Sequence, residues 1–275
     1  MNLLTTQIKH DIENGIIEHA LRGHYETAAN SIIQIIDKLY DAIPDNKRIS
    51  YGRVFTVKTL TSYLHTRFAE TNAPVLEIAS ALFVQSEDYK VKGVSLGLLS
   101  LYGLHDYPPV LPYFEEGAAS YNWDVREMAA IFFRKLIKKY PDAMKDFLMR
   151  LAQSENANVR RFVAETLRPV QENRWFYRQP DYPLSVLRLM FHESNPYPRT
   201  SVGNNLSDLA RRLPELVYSL VEELVKSGDK HSCWIACRAC RNLVKKEPVR
   251  VMDVLGVDEY KYKKRVYVRG DLERG

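Results

Sequence analysis

The 275-residue chain is poor in cysteine, with only Cys233, Cys237 and Cys240, all inside one short stretch. An odd number so close together argues against a disulfide framework and for a reducing compartment, so a cytoplasmic protein is expected. Long apolar runs are missing too. No window approaches the roughly 18 uninterrupted apolar residues of a spanning helix. The opening Met1-Asn2-Leu3-Leu4-Thr5-Thr6-Gln7-Ile8-Lys9 reaches Asp11 and Glu13 without an apolar signal segment. Neither secretion nor a membrane partner is expected. Metal-ligand spacings are scarce: the histidines form no HxxxH or HxH pattern. Beside His231, the three thiols stand at i, i+4 and i+7 on one helical stripe, where small side chains pack, whereas tetrahedral zinc sites draw on several elements. No metal and no cofactor are expected.

Glycine and proline are also sparse, at 12 and 13 residues. Between them, apolar residues recur every three or four positions, as in Ile32, Ile35, Ile36, Leu39 and Met144, Phe147, Leu148, Leu151. The pattern predicts an all-α fold with short helices near 6–21, 25–42, 52–69, 74–84, 88–103, 109–119, 123–138, 142–153, 157–170, 182–193, 197–211, 214–226, 230–245 and 248–254. Paired helices joined by tight loops suggest a solenoid. Leu136-Ile137-Lys138-Lys139-Tyr140-Pro141 recurs as Leu209-Ala210-Arg211-Arg212-Leu213-Pro214 and Leu243-Val244-Lys245-Lys246-Glu247-Pro248, at offsets of 73 and 34 residues. Each is a helix end with two cations against the C-terminal dipole, then a proline that opens the next helix. The 73-residue gap should hold two repeats. Arg160 marks the hidden one, 34 residues after Arg126 and 39 before Arg199. The expected architecture is one HEAT-like array over residues 1–256 with a concave face, followed by a basic tail over 257–275.

The net charge of +5 is unevenly spread: residues 1–120 carry −4 and residues 121–275 carry +9. The second stretch could attract a polyanion. Two tracts in it stand out. In Trp123-Asp124-Val125-Arg126-Glu127-Met128, Asp124 is a candidate N-cap with Glu127 three residues on, which by itself reads as a capping box. In Asn158-Val159-Arg160-Arg161-Phe162-Val163-Ala164-Glu165-Thr166-Leu167-Arg168-Pro169, Arg161, Glu165 and Arg168 share one helical face. The 34-residue offset puts Glu127 in the slot of Arg161, so two carboxylates and two guanidiniums could face one groove. An interhelical salt-bridge ladder reads equally well from these residues.

The string Val159-Arg160-Arg161-x-x-Ala164-Glu165-x-x-Arg168-Pro169, with Trp175 beyond it, resembles the signature helix of the DNA alkylation repair family in its AlkC branch, close to V-R-R-L-A-S-E-G-x-R-P-R-L-P-W. Three further stretches resemble family elements in the same order: Val125-Arg126-Glu127-Met128-Ala129; Pro198-Arg199-Thr200-Ser201-Val202-Gly203-Asn204-Asn205-Leu206-Ser207-Asp208-Leu209-Ala210; and Trp234 to Gly256. The chain departs from the pattern at Ala164 and Thr166 and by a two-residue insertion before Trp175. The immunoglobulin-like domain that longer members add after the last repeat is not expected.

The resemblance implies a HEAT-like-repeat DNA glycosylase that excises N-alkylated, cationic bases such as 3-methyladenine, 3-methylcytosine or 7-methylguanine. Glu127 and Glu165 would be the carboxylates at the N-glycosidic bond, Arg168 the residue that orients a carboxylate or contacts the DNA backbone, and Trp175 the aromatic wall against the lesion. Arg160, Arg161, Arg199, Asn204, Asp208, Arg211, Arg212, Lys245 and Lys246 would contact DNA, although solvated helix ends explain many such cations equally well. The expected partner is double-stranded DNA carrying alkylated bases, bound by a monomer. The alternative is a non-catalytic helical-repeat module that binds damaged or branched DNA or a protein.

Overall fold

Helices account for most of the described residues, 3–49 and 52–272, of the computed structural model. The chain divides into two compact units at Lys139 and Tyr140. The first holds α1 (Thr6–Ile12), a π turn (Glu13–Ile17), α2 (Glu18–Leu21), α3 (Tyr25–Asp41), α4 (Arg53–Glu70), α5 (Val75–Gln85), α6 (Tyr89–Tyr102), α7 (Leu111–Ala119) and α8 (Trp123–Lys139). α6 is buried from Val91 to Ser100, packed by α4, α5 and α8. Gly97 permits that approach, since a Cβ there would lie 2.7 Å from the Thr61 side chain.

The second unit comprises α9 (Pro141–Leu151), α10 (Ala157–Thr166), a 3-10 segment (Gln171–Tyr177), α11 (Asp181–Leu187), α12 (Pro196–Leu209), α13 (Pro214–Lys226), α14 (Lys230–Ala239) and α15 (Pro248–Leu255). It ends in β1 (Glu259–Tyr262), β2 (Arg265–Val268) and α16 (Arg269–Leu272). α12 packs between α10 and α14, while α9 lies against α11 and α13 against α15. The chain is therefore all-α in architecture, a helical-repeat fold carrying one small hairpin.

Two features keep the repeat in register. Pro74, Pro108, Pro141, Pro180, Pro214 and Pro248 stand 34, 33, 39, 34 and 34 residues apart. They lead into α5, the turn before α7, and then α9, α11, α13 and α15. Pro180 is the end of the hidden repeat, and the longer spacing before it accommodates the 3-10 segment. The partner helices begin with a recurring side-chain cap. The Ser120 hydroxyl accepts the Asn122 N–H and the Asn122 carbonyl accepts the Asp124 N–H; Ser154, Asn156 and Asn158 repeat the pattern, as do Ser227, Asp229 and His231. The cap of α8 is therefore Asn122, and Asp124 is not the N-cap that the capping-box pattern suggested.

An arginine one turn along locks the first two of these caps. Arg126 donates to the carbonyls of Ser120 and Tyr121 at 2.7 and 2.9 Å, and Arg160 to those of Ser154 and Glu155 at the same distances. Before α12 the serine is replaced by Glu193, whose carboxylate accepts the Asn195 N–H at 2.8 Å. Glu193 is buried, and Arg160 reaches it through Nε at 2.6 Å and Nη2 at 3.0 Å. Burial opposes the charge on Glu193, but the bonds from Arg160 and the Asn195 N–H outweigh it and hold the carboxyl below the ordinary glutamate range.

Three boundaries differ from the periodic reading. α10 stops at Thr166 rather than 170, because Pro169 cannot extend it and biases the preceding residue out of the helical basin. The 182–193 helix gives way after Leu187 to a 3-10 turn, and α14 ends at Ala239 rather than 245. The basic tail is paired: Glu259 faces Val268 and Tyr262 faces Arg265 in an antiparallel ladder.

Two outcomes follow from this packing. Arg160→Ala leaves a buried carboxylate without its main partner and should lower unfolding free energy by about 3 kcal/mol at pH 7 in urea titration. Because the depressed Glu193 pKa contributes stability above the unfolded-state value and loses it as pH falls, the gap from wild type should narrow below about pH 4. Gly203→Ala should also destabilise, by about 1–3 kcal/mol on the same assay. Its Cβ would stand 2.9 Å from Cβ of Arg238, forcing α12 and α14 apart.

Candidate functional site

α10 buries Val159, Phe162 and Val163 on its core face. That rotation turns Arg161 and Glu165 toward α12, which lies alongside. Glu165 is 6% exposed, a rare environment for an acid unless it is paired. One of its oxygens accepts the Ser201 hydroxyl of α12 at 2.7 Å; the other accepts Nη1 of Arg168 at 3.3 Å. Arg161 Nη2 lies 3.8 Å from the first oxygen, its guanidinium 4.7 Å from the ring of Tyr197.

Arg168 is placed by the helix stop. With the chain turning at Leu167 ahead of Pro169, its side chain reaches across to Asp208, donating from Nε at 3.1 Å and Nη2 at 2.7 Å. Asp208 also meets Nη2 of Arg211 at 3.2 Å. The result is an alternating row, Arg161, Glu165, Arg168, Asp208, Arg211. Burial opposes the charge on Arg168, but Glu165 and Asp208 outweigh that and raise its pKa, so it stays protonated throughout the accessible pH range. The turn itself is stapled: Asn173, fully buried in the 3-10 segment, donates to the carbonyls of Thr166 and Arg168 at 2.7 and 3.0 Å. Asn205 of α12 donates to the Ala164 carbonyl at 2.8 Å, fixing the two helices beside each other.

The remaining sequence-nominated residues fall into distinct settings. Asn204 accepts hydrogen bonds from Arg238 Nε at 2.9 Å and Arg241 Nη1 at 2.8 Å. Lys245 is exposed and bonded to Asn242, and Lys246 is exposed beside Pro214. Arg212 lies over the ring of Tyr177. Arg160 is occupied by Glu193 and the cap carbonyls, and Arg199 by His231 and the face of Trp234. Trp175 packs against Phe176 and Tyr182, with ring centroids at 4.5 and 5.0 Å. From the 3-10 segment it is Tyr177 that reaches the row, its hydroxyl donating to the Asp208 backbone carbonyl at 3.4 Å. Glu127 belongs to the first unit. There it is half-buried at a cavity of about 600 Å³ whose wall includes Phe55, Lys58, Met128 and the exposed indole of Trp123.

Sequence reasoning missed Ser201 and Tyr177; Asp208, for which DNA contact, the orienting of a site group and a structural hydrogen bond all stood open, is the second carboxylate of the row. Ser201, Asn205 and Asp208 stand at i, i+4 and i+7, a polar stripe that helical periodicity could have exposed. Tyr177 had no comparable signal, because it follows an irregular segment.

No protein-family model matches the sequence. A search of curated proteins finds the uncharacterized protein YhaZ of Bacillus subtilis, 26% identical over 117 residues, a match covering 40% of this chain and 32% of that one. Among solved structures, the Pseudomonas fluorescens alkylpurine DNA glycosylase AlkC, bound to DNA containing an abasic site analog, aligns with a TM-score of 0.55 at 19% identity, over 94% of this chain and 67% of that one. AlkD2 from Streptococcus mutans aligns with a TM-score of 0.54 at 22% identity, over 76% and 98%. The smu.31 protein of the same species aligns at 0.52 and 23% identity, over 66% and 97%. The family resemblance carried by the Val159–Pro169 string thus extends to three dimensions: the chain has the helical-repeat fold of the AlkC and AlkD proteins.

Proposed function

We propose that this protein is a DNA glycosylase that removes N-alkylated, cationic bases from double-stranded DNA, with Glu127 and Glu165 as its candidate carboxylates. The observation that carries the reading is the environment of Glu165. A buried acid is kept in place by one hydroxyl and flanked by arginines, so its oxygens are fixed among cationic partners.

The chemistry needs little else. In an N-alkylated base the glycosidic nitrogen is already the edge of a cationic leaving group, so the C1′–N bond can break with its electron pair going to the base, which departs neutral. The sugar then develops oxocarbenium character. A fixed carboxylate stabilises that charge and orients a water whose oxygen adds to C1′ while its proton passes to the carboxylate or solvent. Arg168 acts as a positioning residue: by gripping Asp208 it anchors the guanidinium whose other arm meets Glu165.

A specific observation keeps a second reading in view. Both Glu165 oxygens already have protein donors, and Trp175 is turned into an aromatic cluster, as suits a module that binds DNA without cutting it.

The deciding assay incubates the protein with methylated duplex DNA and measures free alkylbase by chromatography. Wild type should release base, and Glu165→Gln should slow release by at least about 10²-fold, the cost of removing one transition-state electrostatic partner. The same measurement on Glu127→Gln shows whether that carboxylate shares the work. Release no faster than from protein-free DNA would refute the catalytic reading, and intact salt-dependent DNA binding beside it would establish the binding module.

A further inference from the structure

The tyrosine- and lysine-rich tail folds back on α14 as the β1–β2 hairpin. Its inner face is fixed: Tyr260 and Tyr267 are buried, and the Tyr260 hydroxyl donates to the Cys237 carbonyl at 2.6 Å. That docking carries the turn to the end of α14. There the Tyr262 ring centre lies 5.1 Å from the Arg241 guanidinium and 5.2 Å from the Lys245 ammonium. Lys263, exposed at the turn, has φ of 57°, a left-handed conformation that asparagine or glycine would adopt with less strain. Neither stands there; a cation does.

The turn closes one side of a polar cavity of about 410 Å³ in the second unit. Six cations line it, Arg168, Arg211, Arg238, Arg241, Lys245 and Lys263, against the single carboxylate of Asp208. Asp208 is already divided between Arg168 and Arg211. Arg238 and Arg241 share only a neutral acceptor, the Asn204 carbonyl. The surroundings act on the titrating groups. Burial and then the neighbouring charge of Arg241 weaken the hold of Arg238 on its proton, while the hydrogen bond from Arg241 lowers the pKa of the Tyr262 phenol. Like charges gathered around one neutral amide cost folding energy and are relieved by an anion.

We propose that the hairpin completes a binding cavity for a nucleic-acid phosphodiester, in which Arg238, Arg241, Lys245 and Lys263, with the Tyr262 hydroxyl, hold a backbone phosphate of the strand presented to Glu165. Only the mention of Glu165 rests on the glycosylase reading. A strand fits better than a free phosphate because the cavity is not solitary: Arg211, Asn242 and Lys245 also line a second one, of about 540 Å³, which adds Lys246. Two cavities sharing a cationic wall make a track longer than one phosphate.

The test uses the full-length protein and a fluorescently labelled undamaged duplex, with Kd measured by anisotropy from 50 to 200 mM salt. Lys263→Asn keeps a residue suited to the left-handed turn while removing the charge. It should weaken binding about fivefold near 0.1 M salt and reduce the slope of log K against log salt by about 0.9, the signature of one lost phosphate contact. Adding Arg241→Gln should reduce the slope by about a further 0.9. Lys226→Asn, an exposed cation on α13 outside both cavities, should bind as wild type does. Wild-type affinity and slope in Lys263→Asn would overturn the proposal. So would protection of wild type but not Lys263→Asn against thermal unfolding by inorganic phosphate, if their DNA binding were equal, since the ligand would then be the free anion. Base release by wild type is assayed in parallel. Its absence counts against the glycosylase reading, while the salt slopes still decide the phosphate site.

Discussion

The geometry of the candidate site depends on one guanidinium. Arg168 stands between Glu165 of α10 and Asp208 of α12 and bonds to both, with Glu165 itself buried. Its guanidinium bonds both carboxylates at once and so ties α10 to α12. A lysine could supply charge but not the planar fork that engages Asp208 through two nitrogens and still turns a third toward Glu165. The backbone serves this fork. With Pro169 ahead, the helix stops at Thr166, just before Arg168, and the Asn173 amide staples the resulting turn by donating to the Thr166 and Arg168 carbonyls. The arginine-proline pair is therefore one device, a stop and a hook.

Helical content and register are written locally, which is why they were legible. Apolar spacing located nearly every helix, since a helix in a repeat buries one face against its neighbours and little else decides its identity. The proline series was equally available, and its longer interval before Pro180 marks the place of the extra 3-10 turn. What that turn does with its side chains was not legible. Trp175 is the more conspicuous aromatic, yet Tyr177 meets Asp208, because direction in an irregular segment is set by which residue finds the core first. A short terminal strand and a frayed tail could not be told apart for a related reason: the two strands are four residues each, and their stability comes from Tyr260 and Tyr267 packing on the rest of the unit.

Charge was legible in sum and misleading in detail. The excess of cations over residues 121–275 includes Arg126 and Arg160, which clamp the caps of their own helices, and Arg199, which is folded against His231 and Trp234. A periodic arginine and a phosphate-binding arginine look alike in a sequence. They differ in a way the repeat itself reveals. Arg126, Arg160 and Arg199 stand at one register position in successive repeats, as residues required by the scaffold must.

Residues that break the repeat carry the opposite implication. Arg168 precedes a proline that has no counterpart in the other repeats, and Lys263 lies beyond the last of them. Glu127 puts an acid in the register slot where the next repeat has Arg161. A scaffold position that accepts a cation in one repeat imposes no need for an anion in another. Glu127 and the exposed indole of Trp123 line one cavity, and a carboxylate with an aromatic face is the pairing in which both groups would contribute to holding a cationic ligand.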